Sequence, residues 1–226
     1  MPGISGALTA ILKEKFTEVP DAIRVVLFIG NRNQKSSGAI ESVFKIIGRE
    51  FQSNSNRIGL RTESRVALPQ PFGEKTALVF DSADYDLLPE ICGTRNILVD
   101  VCFQLEFANR LFSSISHLPH GMARLFKYPA LKLGGLFSGS GTDGGGIQVE
   151  WMDSAGGCIA TLFAPREGQR MAILPALQAI QRILQQKPSY GAFPAYDFLG
   201  PKALLEVLTE AGSILAVSNA SATDLA

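Results

Sequence analysis

The loop Gly30-Asn31-Arg32-Asn33-Gln34-Lys35-Ser36-Ser37 carries the densest set of groups able to hold an anion. It follows an apolar, β-branched run and precedes a helical pattern. In that context a helix N-terminus presents unpaired amides to negative charge. Arg32 and Lys35 would add cationic donors, and Ser36 and Ser37 hydroxyls. The loop is not a Walker A motif, because no glycine precedes the lysine. The same residues also read as a capped helix start, with Ser36 or Ser37 as N-cap and solvated basic neighbours. Position favours a site, since ligands gather at loops on the carboxyl ends of strands in α/β sheets.

A second glycine-rich string, Gly139-Ser140-Gly141-Thr142-Asp143-Gly144, has the letters of G-x-G-x-x-G. A dinucleotide fingerprint needs a strand before it and a helix after it. Here a helical pattern comes first and a strand pattern second. The string therefore reads as a connection into a strand, with glycine permitting close backbone approach. Asp143 either bonds loop amides, as Asp before Gly commonly does, or points into a cleft.

Other chemistry is sparse. His117 and His120 flank Pro119, which breaks the helix that would align them. No third ligand has metal spacing. Either histidine could act as a general acid or base, or sit at a helix end near the dipole. There is no G-x-S-x-G, and no signature frames Cys92, Cys102 or Cys158. Arg166 and Arg170 could grip a carboxylate bidentately or simply be solvated.

The elements that must position these residues follow from periodicity. Ile4, Leu8, Ile11, Leu12 and Phe16 predict a helix that Pro20 ends. Ile23 to Ile29 predicts a strand buried on both faces. A helix is expected over 37–49, irregular chain over 50–70 and a strand over 76–80. A short helix over 84–91 and a strand over 96–103, with Asp100 inside it, come next. Helices are expected over 106–118 and 120–136. The alternation at 147–151 and 158–163, around Asp153-Ser154-Ala155-Gly156-Gly157, predicts an antiparallel hairpin. Helices over 171–186 and 201–211 close the chain, and a small, polar tail from Ser218 is expected to fray.

Composition sets the outer limits. The chain has 226 residues, 21 Lys+Arg against 21 Asp+Glu, 46% hydrophobic and 19% charged residues. It is long enough for a substantial core and too apolar for intrinsic disorder. Zero net charge argues against general nucleic-acid binding. No run approaches the roughly 18 apolar residues of a membrane span. Three scattered cysteines without C-x-x-C predict buried free thiols in a reducing compartment. The N-terminus has no basic segment followed by an apolar core, so a cytoplasmic protein is expected.

Short motifs recur along the chain in a telling order. Pro2-Gly3-Ile4-Ser5 opens a helix, Gly30-Asn31-Arg32 ends a strand, and Gly48-Arg49-Glu50-Phe51 closes a helix. Asp81-Ser82-Ala83-Asp84 and Leu87-Leu88-Pro89 follow. Thr142-Asp143-Gly144-Gly145 enters the hairpin. Ala164-Pro165, Leu174-Pro175-Ala176-Leu177 and Gly191-Ala192-Phe193-Pro194 complete the series. Over nearly the whole chain it resembles the second domain of saccharopine dehydrogenase-like (saccharopine reductase-like) oxidoreductases.

The resemblance implies an α+β (α/β mixed) fold over residues 1–217. That fold is a mixed β-sheet packed with helices, glyceraldehyde-3-phosphate dehydrogenase C-terminal-like, with a late antiparallel hairpin. It implies a substrate-binding domain whose NAD or NADP sits on a separate Rossmann domain. No strand–G-x-G-x-x-G–helix unit precedes Pro2, so no cofactor is expected in this chain, nor hydride transfer by it alone. The substrate-binding candidates are Asn31, Arg32, Lys35, Asp143 and Gly144, with Arg32 anchoring a small carboxylate-bearing molecule. Besides that substrate, the expected partners are the Rossmann domain and a second copy, pairing through the hairpin if it forms a sheet edge. Neither nucleic acid nor membrane is expected as a partner. The alternatives are a non-catalytic binding or dimerisation module of the same fold and, from the Gly30–Ser37 loop alone, a phosphate binder.

Overall fold

The computed structural model describes residues 2–16, 18–51, 57–119, 122–129, 132, 139–154, 156–185 and 191–220. Helix α1 (Pro2–Lys15) begins on a proline, whose missing N–H costs nothing in a first turn. Ile4, Leu8 and Leu12 fall on one face by the helical repeat. They are buried together with the small residues Ser5, Gly6, Ala7 and Thr9, so neighbouring elements approach α1 closely. Strand β1 (Ala22–Ile29) is buried along most of its length, as its β-branched run predicts.

Helix α2 (Ser37–Ile46) is capped by Ser36, whose Oγ accepts from Ala39 N at 3.1 Å. Two short strands, β2 (Glu50–Phe51) and β3 (Arg57–Ile58), form a separate antiparallel pair. Strands β4 (Thr62–Leu68) and β5 (Gly73–Val79) follow, joined by the turn at Pro69 and Pro71. Then come α3 (Asp84–Cys92), β6 (Ile97–Phe103) and α4 (Glu106–Ser116). A 3-10 turn spans Met122–Phe126. Strands β7 (Gly145–Asp153) and β8 (Gly156–Ala164) form the expected hairpin. Helices α5 (Arg170–Gln185), α6 (Ala195–Leu199) and α7 (Pro201–Glu210) lead to strand β9 (Ile214–Ala220).

Seven strands build one mixed sheet in the order β4-β5-β6-β1-β7-β8-β9. Only β1 and β6 run parallel; the other neighbours are antiparallel. This is the α+β architecture with a mixed sheet, helices and a late hairpin that was expected.

Strand periodicity sends alternate residues to opposite faces. Ile23 and Val25 pack with Val99, Val149, Trp151 and Leu162 against α1 and α7. Farther along the same face, Leu27 and Ile29 meet Phe44, Ile115 and Leu78 under α2 and α4. The other face carries Val26, Phe28, Cys102 and Phe163, covered by Val66, Leu68, Phe72 and Ala77 of the β4–β5 hairpin. Strand β5 pairs with β6 only at Leu78–Val101 and Val79–Asp100. Its first half therefore leaves the sheet and curls over this face with β4.

Four local readings change. Residues 62–68 form a strand where irregular chain is expected, because β5 supplies a partner. The 147–163 hairpin is interior, since β9 pairs with β8 from Gly157–Ala220 to Phe163–Ile214 and takes the edge. Ser218 to Ala220 belong to that paired strand, while residues 221–226 lie outside the described residues. Of the helix expected over 120–136, the described part begins as the 3-10 turn, and His120 and most of 130–138 lie outside the described residues. All three cysteines are buried and free, as predicted. No described helix is long and apolar enough to cross a membrane.

Candidate functional site

Strands β1 and β6, being parallel neighbours, bring their carboxyl ends side by side. Antiparallel pairing puts the start of β7 and the end of β8 at the same edge. Four loop segments therefore converge there: Gly30 to Lys35, Gln104, Thr142 to Gly144, and Pro165 to Gln169.

Gln104 ties two of them. Its Oε1 accepts from Asn31 N at 3.0 Å and from Thr142 N at 2.8 Å. Backbone bonds extend the β1–β7 pairing beyond the strands, with Gly30 N donating to Gly144 O and Arg32 N to Thr142 O, each at 2.9 Å. The buried Asn33 amide donates to Gly144 O at 2.7 Å and to Gly30 O at 3.1 Å. Thr142 Oγ1 donates to Pro165 O at 3.1 Å and accepts from Gly144 N at 3.0 Å. Gly168 N donates to Asp143 O at 2.8 Å, and the Gln169 amide donates to Gln34 O.

Glycine is required at Gly30 for space. A Cβ there would stand 2.4 Å from both Gly144 O and Thr142 O. At Gly144 it would stand 2.6 Å from Ala164 O and Pro165 O.

The five candidate residues thus come together at one edge, with their polar groups in two different states. The Asn31 amide donates to Ser140 O at 3.0 Å, and Lys35 Nζ donates to Asn31 O at 2.6 Å. Partial burial lowers the Lys35 pKa. Gly144 is buried, and its carbonyl and N–H both hold the loop. By contrast, the exposed Arg32 guanidinium and the half-buried Asp143 carboxylate have no hydrogen bond or ion pair among the described residues.

The remaining candidates do not join this cluster. His117 Nδ1 lies 2.8 Å from Ser113 O at the end of α4. Arg166 is exposed, and Arg170 pairs with Glu167 at 2.9 Å. No group of three or more metal-ligating side chains exists among the described residues. A dinucleotide does not fit the Gly139–Gly144 string. The string enters strand β7 rather than a helix, and the Thr142 and Gly144 amides are already engaged.

Sequence reasoning missed three features. Gln104 had no local signal beyond a polar residue just past a strand. The second is a charged cluster on the sheet face under the β4–β5 hairpin. Arg24 Nε donates to Asp100 Oδ2 at 2.8 Å, and Arg24 Nη1 lies 3.7 Å from Glu150 Oε2. Arg24 Nη2 also donates to Ser64 Oγ. Gln148 donates to Glu150 Oε1 at 2.8 Å and to Ala67 O at 3.2 Å, and accepts from Thr161 Oγ1. Glu150 Oε2 is buried without a hydrogen bond.

Burial raises the Glu150 pKa, with Arg24 and Gln148 pulling against it. For Arg24, burial acts downward, but Asp100 and Glu150 outweigh it and raise the pKa. Asp100 inside a strand was the one visible trace of this cluster.

A third feature is an apolar groove of about 460 Å³ between the start of α1, α5 and α6. Gly3, Ile4, Met171, Pro175, Ile183 and Phe198 are among its lining residues. Its lining residue Met171 donates its N–H to Gly168 O at 3.3 Å. No family model matches the chain, and no curated protein matches it.

Proposed function

We propose that the chain is the substrate-binding domain of an NAD(P)-dependent saccharopine dehydrogenase-like oxidoreductase, with the nicotinamide carried by a Rossmann domain outside this chain. The reading rests on the ordered motif series together with one observation. Among the described residues the Arg32 and Asp143 side chains have no hydrogen-bond or ion-pair partner, and they stand on loops that Gln104, Asn33 and Thr142 tie together at the carboxyl ends of β1 and β6. Preorganised loops cost little ordering entropy on binding. Arg32 would take a carboxylate through paired N–H donors, and Asp143 an ammonium or hydroxyl. The substrate class is a small, polar, carboxylate-bearing molecule.

L-glutamate is a suitable probe, and NMR titration is the test. Amides of Gly30 to Lys35 and Thr142 to Gly144 should shift with glutamate, and Arg32→Ala should abolish the shifts. NADH should leave the spectrum unchanged. Tight NADH binding, or glutamate binding that survives Arg32→Ala, would sink this reading.

A second reading, an interaction module of the same fold, is favoured by a different observation. Helix α5 buries only Met171 and Pro175 and leaves a long apolar face uncovered.

A further inference from the structure

The uncovered face of α5 has a regular spacing. Ile173, Leu177, Ile180 and Leu184 are 55, 48, 52 and 81% exposed. They recur at alternating four- and three-residue steps, the a/d pattern by which two helices pack along a seam. The four side chains fall within a narrow stripe of the helix surface.

Nothing charged interrupts the stripe. Helix α5 contains no acidic residue. Arg182 is turned away, its guanidinium 5.4 Å over the Phe198 ring, and Arg170 is paired with Glu167. Ile183 and Phe193, 50 and 46% exposed, carry the apolar surface from the stripe into the adjoining groove.

We propose that a second copy of this chain covers this face, with the two α5 helices antiparallel about a two-fold axis between Leu177 and Ile180. The spacing is self-complementary in that arrangement. Ile173 meets the partner's Leu184, and Leu177 meets the partner's Ile180, the a-to-d pairing of antiparallel helices. Ile183 and Phe193 flank the four seam residues, so the apolar surface offered to a second copy is on the order of several hundred Å², the scale on which one side of a stable interface is built. A lone chain would leave this contiguous apolar patch facing water. The proposal rests on the interaction-module reading and not on ligand binding at the loop edge. A monomeric chain that still binds glutamate would therefore count against the dimer alone.

The test is sedimentation velocity of the whole chain over a micromolar concentration series, at low and high salt. A dimer insensitive to salt is expected, because the seam is apolar. Leu177→Lys with Ile180→Lys should give a monomer with an unchanged circular-dichroism spectrum, since both side chains are half exposed. Val217→Lys, on the β9 edge, should remain dimeric. Mixing an Ile173→Cys chain with a Leu184→Cys chain should yield an oxidised cross-linked dimer that neither forms alone.

A monomeric parent chain would overturn the proposal, as would occupation of this face only by another domain or protein. A dimer lost through Val217→Lys and kept by the α5 variant would do the same. Cross-linking of either single-cysteine chain to itself would overturn the antiparallel register.

Discussion

Arg24 and Asp100 form a buried ion pair across the parallel strands, with Nε to Oδ2 at 2.8 Å and side chains 6 and 4% exposed. Arg24 lies opposite Leu98 in the ladder, so its side chain reaches two residues along β6 to find the carboxylate. The pair lies beneath the curled β4–β5 hairpin, and Ser64 takes another guanidinium N–H. A pair buried in this way adds little net stability, but loss of one partner strands a desolvated charge.

Removing one member should therefore be expensive. Asp100→Ala leaves the guanidinium buried, with Glu150 at 3.7 Å as its remaining counter-ion. The expected loss is about 3–5 kcal/mol by urea unfolding. The triple variant Arg24→Met, Asp100→Leu, Glu150→Leu should lose less than Asp100→Ala alone, because no charge is then stranded. A triple variant less stable than the single one would contradict this account.

Glu150 should make stability fall as pH rises. Its folded pKa is raised, so the unfolded chain gives up this proton first. The favourable contribution is complete below the unfolded value of about 4.3 and is lost as pH climbs through the folded value. The slope from one such group is at most about 1.4 kcal/mol per pH unit. Glu150→Gln keeps an oxygen for Gln148 and removes the titration. Its unfolding free energy minus that of the parent should rise across this window and then level off.

The loop edge should loosen without Gln104. Gln104→Ala strips the shared acceptor from Asn31 N and Thr142 N. A lost partner costs about 1–3 kcal/mol when buried, and water access here places the effect at the low end. Hydrogen exchange should accelerate at Asn31 and Thr142 while β1 core amides stay protected. Gln104→Glu, which retains the acceptor, should restore most of the protection.

Gly30→Ala tests the contact between the loops. Its Cβ would press on two carbonyl oxygens at 2.4 Å, and backbone cannot move aside as a flexible side chain would. Overpacking typically costs about 1–3 kcal/mol. The same experiment at Gly139, whose added Cβ meets nothing within 4 Å, should be nearly neutral. Equal losses at the two positions would remove the steric explanation.

Periodicity alone determined several elements. The β-branched run of β1, the four- and three-residue steps of α1 and the alternation of the β7–β8 hairpin each encode a local hydrophobic pattern. Local order fixes such patterns, so they are legible in one dimension. The grouping of Asn31, Arg32 and Lys35 at a strand's end was legible for the same reason.

What tertiary structure alone decided depends on contacts between distant residues. Gln104 reaches a residue 73 positions back and another 38 positions ahead, and Arg24 finds Asp100 76 positions away. Nothing adjacent to these residues announces their partners. Strand β4 becomes a strand because β5 turns back onto it and Phe28 and Phe163 accept Val66 and Leu68. Strand β9 is almost wholly exposed, so no burial pattern marks it; the open backbone edge of β8 does. Side-chain periodicity reports burial, whereas backbone hydrogen bonding and charge pairing are set by what the rest of the chain places alongside.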